Sequence, residues 1–399
     1  MPNKNLKLLS CILDVIPYKI FDFIQNISKN IKISSKIKNN NKKVNNEKNK
    51  NYNSEYYYLE NIKPICPHCK SKNITKHGYT TRKLVILDNG DVKITILRYK
   101  CKKCNKTFNT DLSEIVLPNC NIIIPVISEI LTSYSIYGSS VYKIKNHLKQ
   151  SFNVEISHQR IEDFILAYEY ENKSESWTYS GYYLFDTLWV KINGKWKYLF
   201  ALYDQKMNTI VAIDIYSNES EKNVKEFLSK STQNQKRISI TTDLKIDYRI
   251  SINQLRFKHQ FCKFHTKQKL NRDIHNYITQ EKVSKKEKKE ILKIKEDIFK
   301  ILDCNDNNIA KQKLNKLKKY AKSVKNVISK IIWKFIYPYF KNLTYAFDDK
   351  NIESTNNKIE NAFQKIFPKE IKKRMKTVKG ILTRFNLKLE YWNAHNKVC

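Results

Sequence analysis

Two sets of side chains in this 399-residue chain have types and spacings suited to chemistry. The first is Cys66-Pro-His-Cys69 together with Cys101-Lys-Lys-Cys104. A tetrahedral Zn²⁺ takes four thiolates, and each Cys-x-x-Cys turn presents two sulfurs to one ion. Cys66, Cys69, Cys101 and Cys104 therefore define one structural zinc site, with His68 and His77 as substitute ligands. The second set is acidic. Asp186 lies inside the apolar run Leu184-Phe185-Asp186-Thr187, and Asp243 closes another, Ile238 to Asp243. An ionised carboxylate inside an apolar strand is costly unless it is paired or bound to metal. Asp186 therefore needs either a hydrogen-bonded structural role or a cation.

The elements that must position these groups follow from periodicity. Runs rich in aromatic and β-branched residues predict strands at Tyr182–Val190, Lys197–Leu202 and Thr209–Tyr216, with Asn193-Gly194 as a turn. A helix over Ser220–Ser229 and a fourth strand at Arg237–Thr241 follow. This β-β-β-α-β order opens a ribonuclease-H-like mixed sheet, in which the first and fourth strands are neighbours and Asp186 and Asp243 can converge. The fold class expected is α/β. Around the cysteines, Lys83–Leu87 and Val92–Leu97 flank the turn signal Asp88-Asn89-Gly90-Asp91, and two metal knuckles joined by β-structure describe a zinc ribbon. Helices are expected at Ile122–Ser133, Ser140–Ser151 and Ser157–Tyr168, with Ser157 as an N-cap. The last two form a candidate helix-turn-helix that presents His158, Gln159 and Arg160 where base contacts are usually made, although any small helical bundle shares the pattern.

Charge sets the class of partner. Lys and Arg number 75 against 38 Asp and Glu, a net +37 spread along the chain. Such a chain repels itself unless a polyanion neutralises it, and nucleic acid gains affinity by counterion release. A ribosomal or chromatin-like protein would share this charge. The nine cysteines are odd in number and suit thiolate chemistry in a reducing compartment better than a disulfide framework. Leu6 to Ile24 is apolar but interrupted by Asp14, Pro17, Lys19 and Asp22, too broken for a membrane span. The expectation is a soluble, intracellular protein with no membrane partner. By composition the chain divides into an N-terminal helix and Lys/Asn-rich linker (1–60), a zinc ribbon (61–112), a helix-turn-helix domain (113–175) and a catalytic domain (176–399) with a helical insertion at about 266–350. Residues 27–54, mostly Lys, Asn and Ser, read as a basic linker with too little apolar content to fold.

Several blocks resemble the DDE-type transposases of prokaryotic insertion sequences. Asp186-Thr187-Leu188-Trp189-Val190 through Lys197-Tyr198-Leu199-Phe200, then Asp204, is similar to their first catalytic block. Thr241-Thr242-Asp243 with Tyr248 resembles the second, Phe261-Cys262-Lys263-Phe264-His265 the Cys-x-x-His element, and Ser354-Thr355-Asn356-Asn357-Lys358-Ile359-Glu360 the block with the third acid. The resemblance covers roughly residues 180–385, in the family's order, and departs from it in the long Lys/Asn-rich N-terminal extension. It implies that Asp186, Asp243 and Glu360 hold two Mg²⁺ or Mn²⁺ ions for DNA cleavage and strand transfer. It also implies recognition of terminal inverted repeats and target DNA, and a homodimer or larger synaptic assembly. Glu353, seven residues before Glu360, fits the same helical face, so periodicity does not separate the two, and the Asn-Asn-x-x-Glu context prefers Glu360. Lys365, where the family often carries a phosphate-touching base, opens a basic stretch with Lys369, Lys372, Lys373 and Arg374. Cys262 and His265 are either a buried structural pair or positioners of the site. Asp204 is expected to be structural, and Trp189 and Trp196 to lie in the core rather than to stack on bases. A nonenzymatic or decayed DNA-binding protein, or a nuclease of the same fold without joining activity, are the alternatives.

Overall fold

Residues that alternate apolar and polar side chains form two separate sheets, one in each of the two compact units into which the chain divides, Met1–Glu171 and Asn172–Cys399. The computed structural model describes residues 31–38, 54–167, 178–281, 283–324 and 326–395. The expected N-terminal helix lies outside them.

The first unit holds β1 (Ile31–Lys38), β2 (Ser54–Asn61), β3 (Ile74–Ile86), β4 (Gly90–Cys101) and β5 (Thr107–Asn109) in one sheet of order β1-β2-β4-β3, with β5 on the end of β4. Part of the segment read as an unfolded linker is thus a strand. In β1, Ile31, Ile33 and Ile37 alternate with Lys32, Ser34, Lys36 and Lys38, so the low apolar content hides a period of two, and β1 pairs antiparallel with β2. The β3–β4 hairpin closes at Ile86 opposite Gly90, tighter than expected, with Asp88 and Gly90 both at positive φ (68° and 64°). Three helices follow: α1 (Ile124–Ser135), α2 (Val141–Phe152) and α3 (His158–Ala167). Ile144, Leu148, Ile161 and Ile165 form their buried faces as the periodicity requires. Ser140 caps α2, the Ser157 hydroxyl accepts from the Arg160 N–H at 3.2 Å, and Asn153 takes the left-handed conformation between them.

The second unit is built on a five-stranded sheet of order β10-β9-β6-β7-β8. β6 (Tyr182–Ile192), β7 (Lys195–Asp204) and β8 (Thr209–Tyr216) form an antiparallel meander. After α4 (Glu221–Ser231), β9 (Ser239–Thr242) returns parallel to β6, and after α5 (Ile246–Gln254) β10 (Lys258–Phe261) adds in parallel to β9. α6 (Lys263–Gln280), α7 (Lys285–Leu302), α8 (Asn307–Ser323), α9 (Val327–Ile331), a π-helical turn (Ile332–Ile336) and α10 (Phe340–Asp348) form the helical excursion. The chain ends in α11 (Asn357–Ile366), α12 (Lys369–Arg374) and α13 (Val378–His395).

Side-chain alternation gives the sheet two apolar faces. Tyr183, Phe185, Phe200 and Leu202 pack on Val224, Phe227 and Ile252 of α4 and α5. Leu184, Val190, Leu199 and Ala201 pack on Ile359, Phe363 and Phe385 of α11 and α13. The excursion encloses its own core of Leu270, Ile291, Ile298, Leu314 and Ile328. Among the described residues no helix is long and apolar enough to cross a membrane.

Gly181 fixes where β6 meets β9. Its carbonyl accepts from the Ile238 and Ser239 N–H groups, both at 3.0 Å, at a φ of +90°. An added Cβ would lie 2.9 Å from the Ile238 side chain. Gly181→Ala is expected to cost about 1–3 kcal/mol, the range for a non-glycine residue held in such a conformation, and to lower the thermal midpoint by several degrees in a melting experiment.

Candidate active site

The parallel pairing of β6 and β9 brings two acids together. Tyr182 pairs with Ser239, Tyr183 with Ile240 and Leu184 with Thr241. Two further steps in this register set Asp186 level with Asp243, just past the last residue of β9. Asp186 belongs to the alternate set of β6 residues, with Leu184 and Val190, that faces α11. Glu360 stands in the first turn of α11.

The segment leading into α11 is pinned to the ends of the strands. The Thr241 hydroxyl donates to Glu353 O at 2.6 Å, and the Glu353 N–H donates to the Gln205 side chain at 3.0 Å. Gln205 in turn donates to Tyr183 O at 2.8 Å, and the buried Asn356 amide donates to Phe185 O at 3.2 Å. Glu360 therefore approaches the acids through three strand-anchored contacts. The two glutamates that sequence alone does not separate have different surroundings. The Glu353 carboxylate is taken by Lys358 at 2.7 Å, whereas it is Glu360 whose charge acts on Asp186.

Burial dominates the electrostatics, and like charges add to it. Burial, together with the charges of Asp243 and Glu360, pushes the Asp186 carboxyl up to about 7, against a single hydrogen bond from the Thr187 N–H at 2.8 Å. Burial also raises Asp243. Glu360 Oε1 is shielded from solvent and has no hydrogen-bond partner. His265 Nε2 lies 3.9 Å from that oxygen. The neighbouring Cys262 thiol and the Glu360 and Asp243 charges raise the imidazole to about 9. Cys262 is fully buried, accepts no cap role from its side chain, and donates its N–H to Thr242 O at 2.8 Å. An unpartnered, desolvated carboxylate oxygen beside two raised acids is a donor set that suits a hard cation. The carboxylate oxygens are not drawn to the spacing of the thiols described below, as expected of like charges with little between them.

One residue of this region is invisible to motif reading. Glu219, buried in the loop before α4, accepts from the Thr187 hydroxyl at 2.6 Å, from the Tyr248 hydroxyl at 2.5 Å and from the Lys245 ammonium. Thr187 neighbours Asp186, and Lys245 and Tyr248 follow Asp243, so one carboxylate ties the two acid-bearing segments together. Burial pushes Glu219 up, but Lys245, Thr187 and Tyr248 outweigh it and hold the group below its ordinary range. On the other side of Asp243, the Thr242 hydroxyl donates to Asp243 O at 2.7 Å. That leaves His259 Nε2–H to donate to the same hydroxyl, 2.8 Å away, from an imidazole that burial keeps neutral, with its pKa drawn down to about 3.

The remaining expected residues divide. Asp204 is fully buried and accepts from Ser180 N–H and hydroxyl, both at 2.7 Å, and from the Lys206 and Met207 N–H groups. It is a structural staple of the β7–β8 turn, as expected. Lys365 is exposed and lies over the Trp392 ring at 4.9 Å. Lys369, Lys373 and Arg374 are exposed, while Lys372 is half-buried, with its pKa lowered by burial. In the first unit, His158 and Gln159 are exposed, with His158 packed on Tyr142 and Gln159 donating to Asp163 at 3.0 Å. Arg160 is half-buried, over the Phe164 ring at 4.6 Å and 3.5 Å from Cys120 Sγ, which removes it from a purely surface role.

The four thiols form a second site, in the first unit. Their sulfurs all lie within 4.8 Å of one another, and among the described residues they are the one group of three or more metal-type ligands so placed. His68 and His77 are exposed and outside it. The two Cys-x-x-Cys turns are copies of each other. Lys70 N–H donates to Cys66 O and Asn105 N–H to Cys101 O, each at 2.9 Å, with Lys70 and Asn105 both left-handed. Cys66 N–H closes on Ser71 O and Cys101 N–H on Lys106 O. Cys66 and Cys104, and Cys69 and Cys101, approach to 3.6 Å. Sulfurs about 2.3 Å from a tetrahedral Zn²⁺ stand roughly 3.8 Å apart, so the group fits such an ion. Within the cluster the Cys104 N–H draws the Cys101 thiol down to about 6, while Cys69, against the Ser71 N–H, is pushed up to about 12 by burial and the neighbouring thiols.

With this geometry established, the chain can be compared with known proteins. It belongs to the insertion-element proteins, a transposase-like family. The relationship rests on the insertion element ISM1 uncharacterized 48.3 kDa protein of Methanobrevibacter smithii, 30% identical over 403 residues that span the whole of both chains. No protein-family model matches the chain. Among solved structures, a simian T-cell lymphotropic virus intasome in complex with PP2A regulatory subunit B56 gamma aligns at 9% identity. That alignment covers 42% of this chain and 66% of the other, and its TM-score of 0.19 carries no weight.

Glu219 is the most exacting element of the second-unit site to remove. Glu219→Ala leaves two hydroxyls and an ammonium without their acceptor and is expected to destabilise the unit by about 3 kcal/mol. Glu219→Gln, which keeps an acceptor, should lose clearly less, and denaturant unfolding of the two variants measures the difference.

Proposed function

We propose that the protein is a DDE-type transposase that binds the terminal repeats of its insertion element, cuts the DNA at their ends and joins those ends to new DNA. The observation that carries this reading is the convergence of Asp186 and Asp243 through one parallel ladder, with the Glu360 charge on the same face. The ladder, the meander and the flanking helices are those expected of a ribonuclease-H-like core. A lineage of insertion-element proteins supplies the biological setting.

In this reading Asp186, Asp243 and Glu360 hold two Mg²⁺ or Mn²⁺ ions. When bound, such ions activate a water or a 3′-hydroxyl and stabilise the leaving oxygen of an in-line phosphoryl displacement. The chain itself supplies position and charge. The pins from Thr241, Gln205 and Asn356 keep Glu360 facing the strand acids. Glu219 holds the Asp186 and Asp243 segments at fixed separation. Exposed Lys365, Lys369, Lys373 and Arg374 offer cations for phosphate, and half-buried Lys372 stands among them. His158 and Gln159 at the start of α3 are placed for base edges in a helix-turn-helix, and the four thiols hold one zinc ion in a ribbon. Cutting two element ends and joining them calls for two copies of the site, hence a dimer or larger synaptic assembly.

Asp186→Asn, Asp243→Asn and Glu360→Gln are each expected to lower Mg²⁺-dependent cleavage and strand transfer on a terminal-repeat substrate at least about a hundredfold, the loss of several kcal/mol of transition-state stabilisation. Binding of that DNA should persist. Retention of strand transfer by any one of them overturns the carboxylate assignment, and cleavage without joining in the unaltered protein favours a nuclease. Elemental analysis of the purified protein should give one zinc per chain, and Cys101→Ser should lose it together with the cooperative melting of the first unit.

A further inference from the structure

The β6–β7 hairpin carries an aromatic surface that the carboxylate site does not use. Trp189 and Trp196, expected from their sequence context to lie in the core, are 51% and 56% exposed. Trp189 stands opposite Tyr198, and Lys191 opposite Trp196. The Trp189 ring lies 5.9 Å from Trp196 and 5.2 Å from Tyr198. The helices on this face cover Phe185 and Phe200, but the hairpin runs on past them. A joined pair of indoles left in water is the kind of apolar surface that marks a binding site.

Charge indicates the occupant. The Lys191 ammonium lies 5.7 Å over the Trp196 ring, and that of Lys245 lies 5.8 Å over Tyr198. Lys195 and Lys197 flank Trp196, and from Thr187 to Tyr203 the hairpin has no acidic residue. Its turn is held against the basic stretch, since the Asn193 N–H donates to Lys376 O at 3.1 Å. Lys245 is already taken by Glu219, but an apolar protein partner would strip water from Lys191, Lys195 and Lys197 without replacing it. A polyanion with flat, exposed rings satisfies both features. Paired bases offer only their edges, so the rings select unpaired ones. The surface shares a strand with Asp186 but not a face: Trp189 follows Asp186 by three residues, roughly 10 Å along β6, and alternates with Tyr183 and Phe185 rather than with Leu184 and Asp186.

We propose that Trp189, Trp196 and Tyr198 form a stacking platform for unpaired bases of single-stranded DNA, on the face of the sheet opposite the Asp186 carboxylate. The proposal rests on the reading of DNA as substrate, but its test needs no catalysis and so fails or succeeds apart from that of the carboxylates. Fluorescence anisotropy of the full-length protein with a labelled oligo(dT) of about a dozen nucleotides, and with a duplex of equal length, at one salt concentration, measures it. The Trp189→Ala, Trp196→Ala double variant is expected to lose about tenfold or more in single-strand affinity, as loss of a base-stacking ring does. Its duplex affinity should change less than about twofold, because phosphate contacts dominate there. Trp189→Phe, Trp196→Phe, which keeps two rings, should retain most single-strand binding. Equal loss for both DNA forms, or no loss for either, overturns the proposal. So does a change from dimer to monomer in sedimentation when the rings are removed, which would assign the surface to a second copy of the chain.

Discussion

Acidic groups gathered in a poorly solvated place are the constraint on which the second unit depends. Left alone, Asp186, Asp243 and Glu360 would separate or take up protons, and the elevated Asp186 records that tension. What resists it is backbone geometry. A parallel ladder just before them aligns the segments that carry the first two acids, and the polar pins from Thr241, Gln205 and Asn356 fix the helix that carries the third. His265 contributes a partial counter-charge from the start of α6. Such an arrangement is expensive for stability and useful for holding cations, the usual trade at a reactive site.

Glu219 shows how the cost is contained. A buried carboxylate is tolerable when its lone pairs are filled, and here two hydroxyls and an ammonium fill them. The same contacts brace the segments on either side of the acid pair. The unit thus keeps two kinds of buried acid: one saturated with donors and structural, the other deliberately unsaturated. Asp204, with its four donors, belongs with the first kind.

Much of this was legible in the sequence wherever a local pattern coincided with the tertiary role. β8 spans the predicted residues, β6 and β7 differ only at their ends, and the Asn193-Gly194 turn lies where the pattern puts it. The two acids followed from being misfits in apolar runs. β10 escaped notice because Lys258-His259-Gln260-Phe261 buries polar side chains that find partners only after folding, His259 with Thr242 and Gln260 with the Ala346 N–H. β1 was hidden by lysine content that masks its alternation. Glu219 resembles an ordinary acid ahead of a helix, and its partners lie far away in sequence. The tryptophans were misjudged for a different reason. Apolar character says that a residue prefers burial, but not where the covering layer of helices stops.

The helical excursion between β10 and α11 has a consequence for how this lineage can change. Its entrance and exit are fastened to each other, the Lys263 N–H to Ser354 O at 2.7 Å, and its apolar interior is its own. It is therefore a cassette held at its base, by that bond and by α10 against β10 through Asn342 to His259 O and the Ala346 N–H to Gln260, whose outer turns can lengthen, shrink or be recast without moving the strand ends behind it. Diversification among relatives should gather there, while the few residues at the base stay fixed.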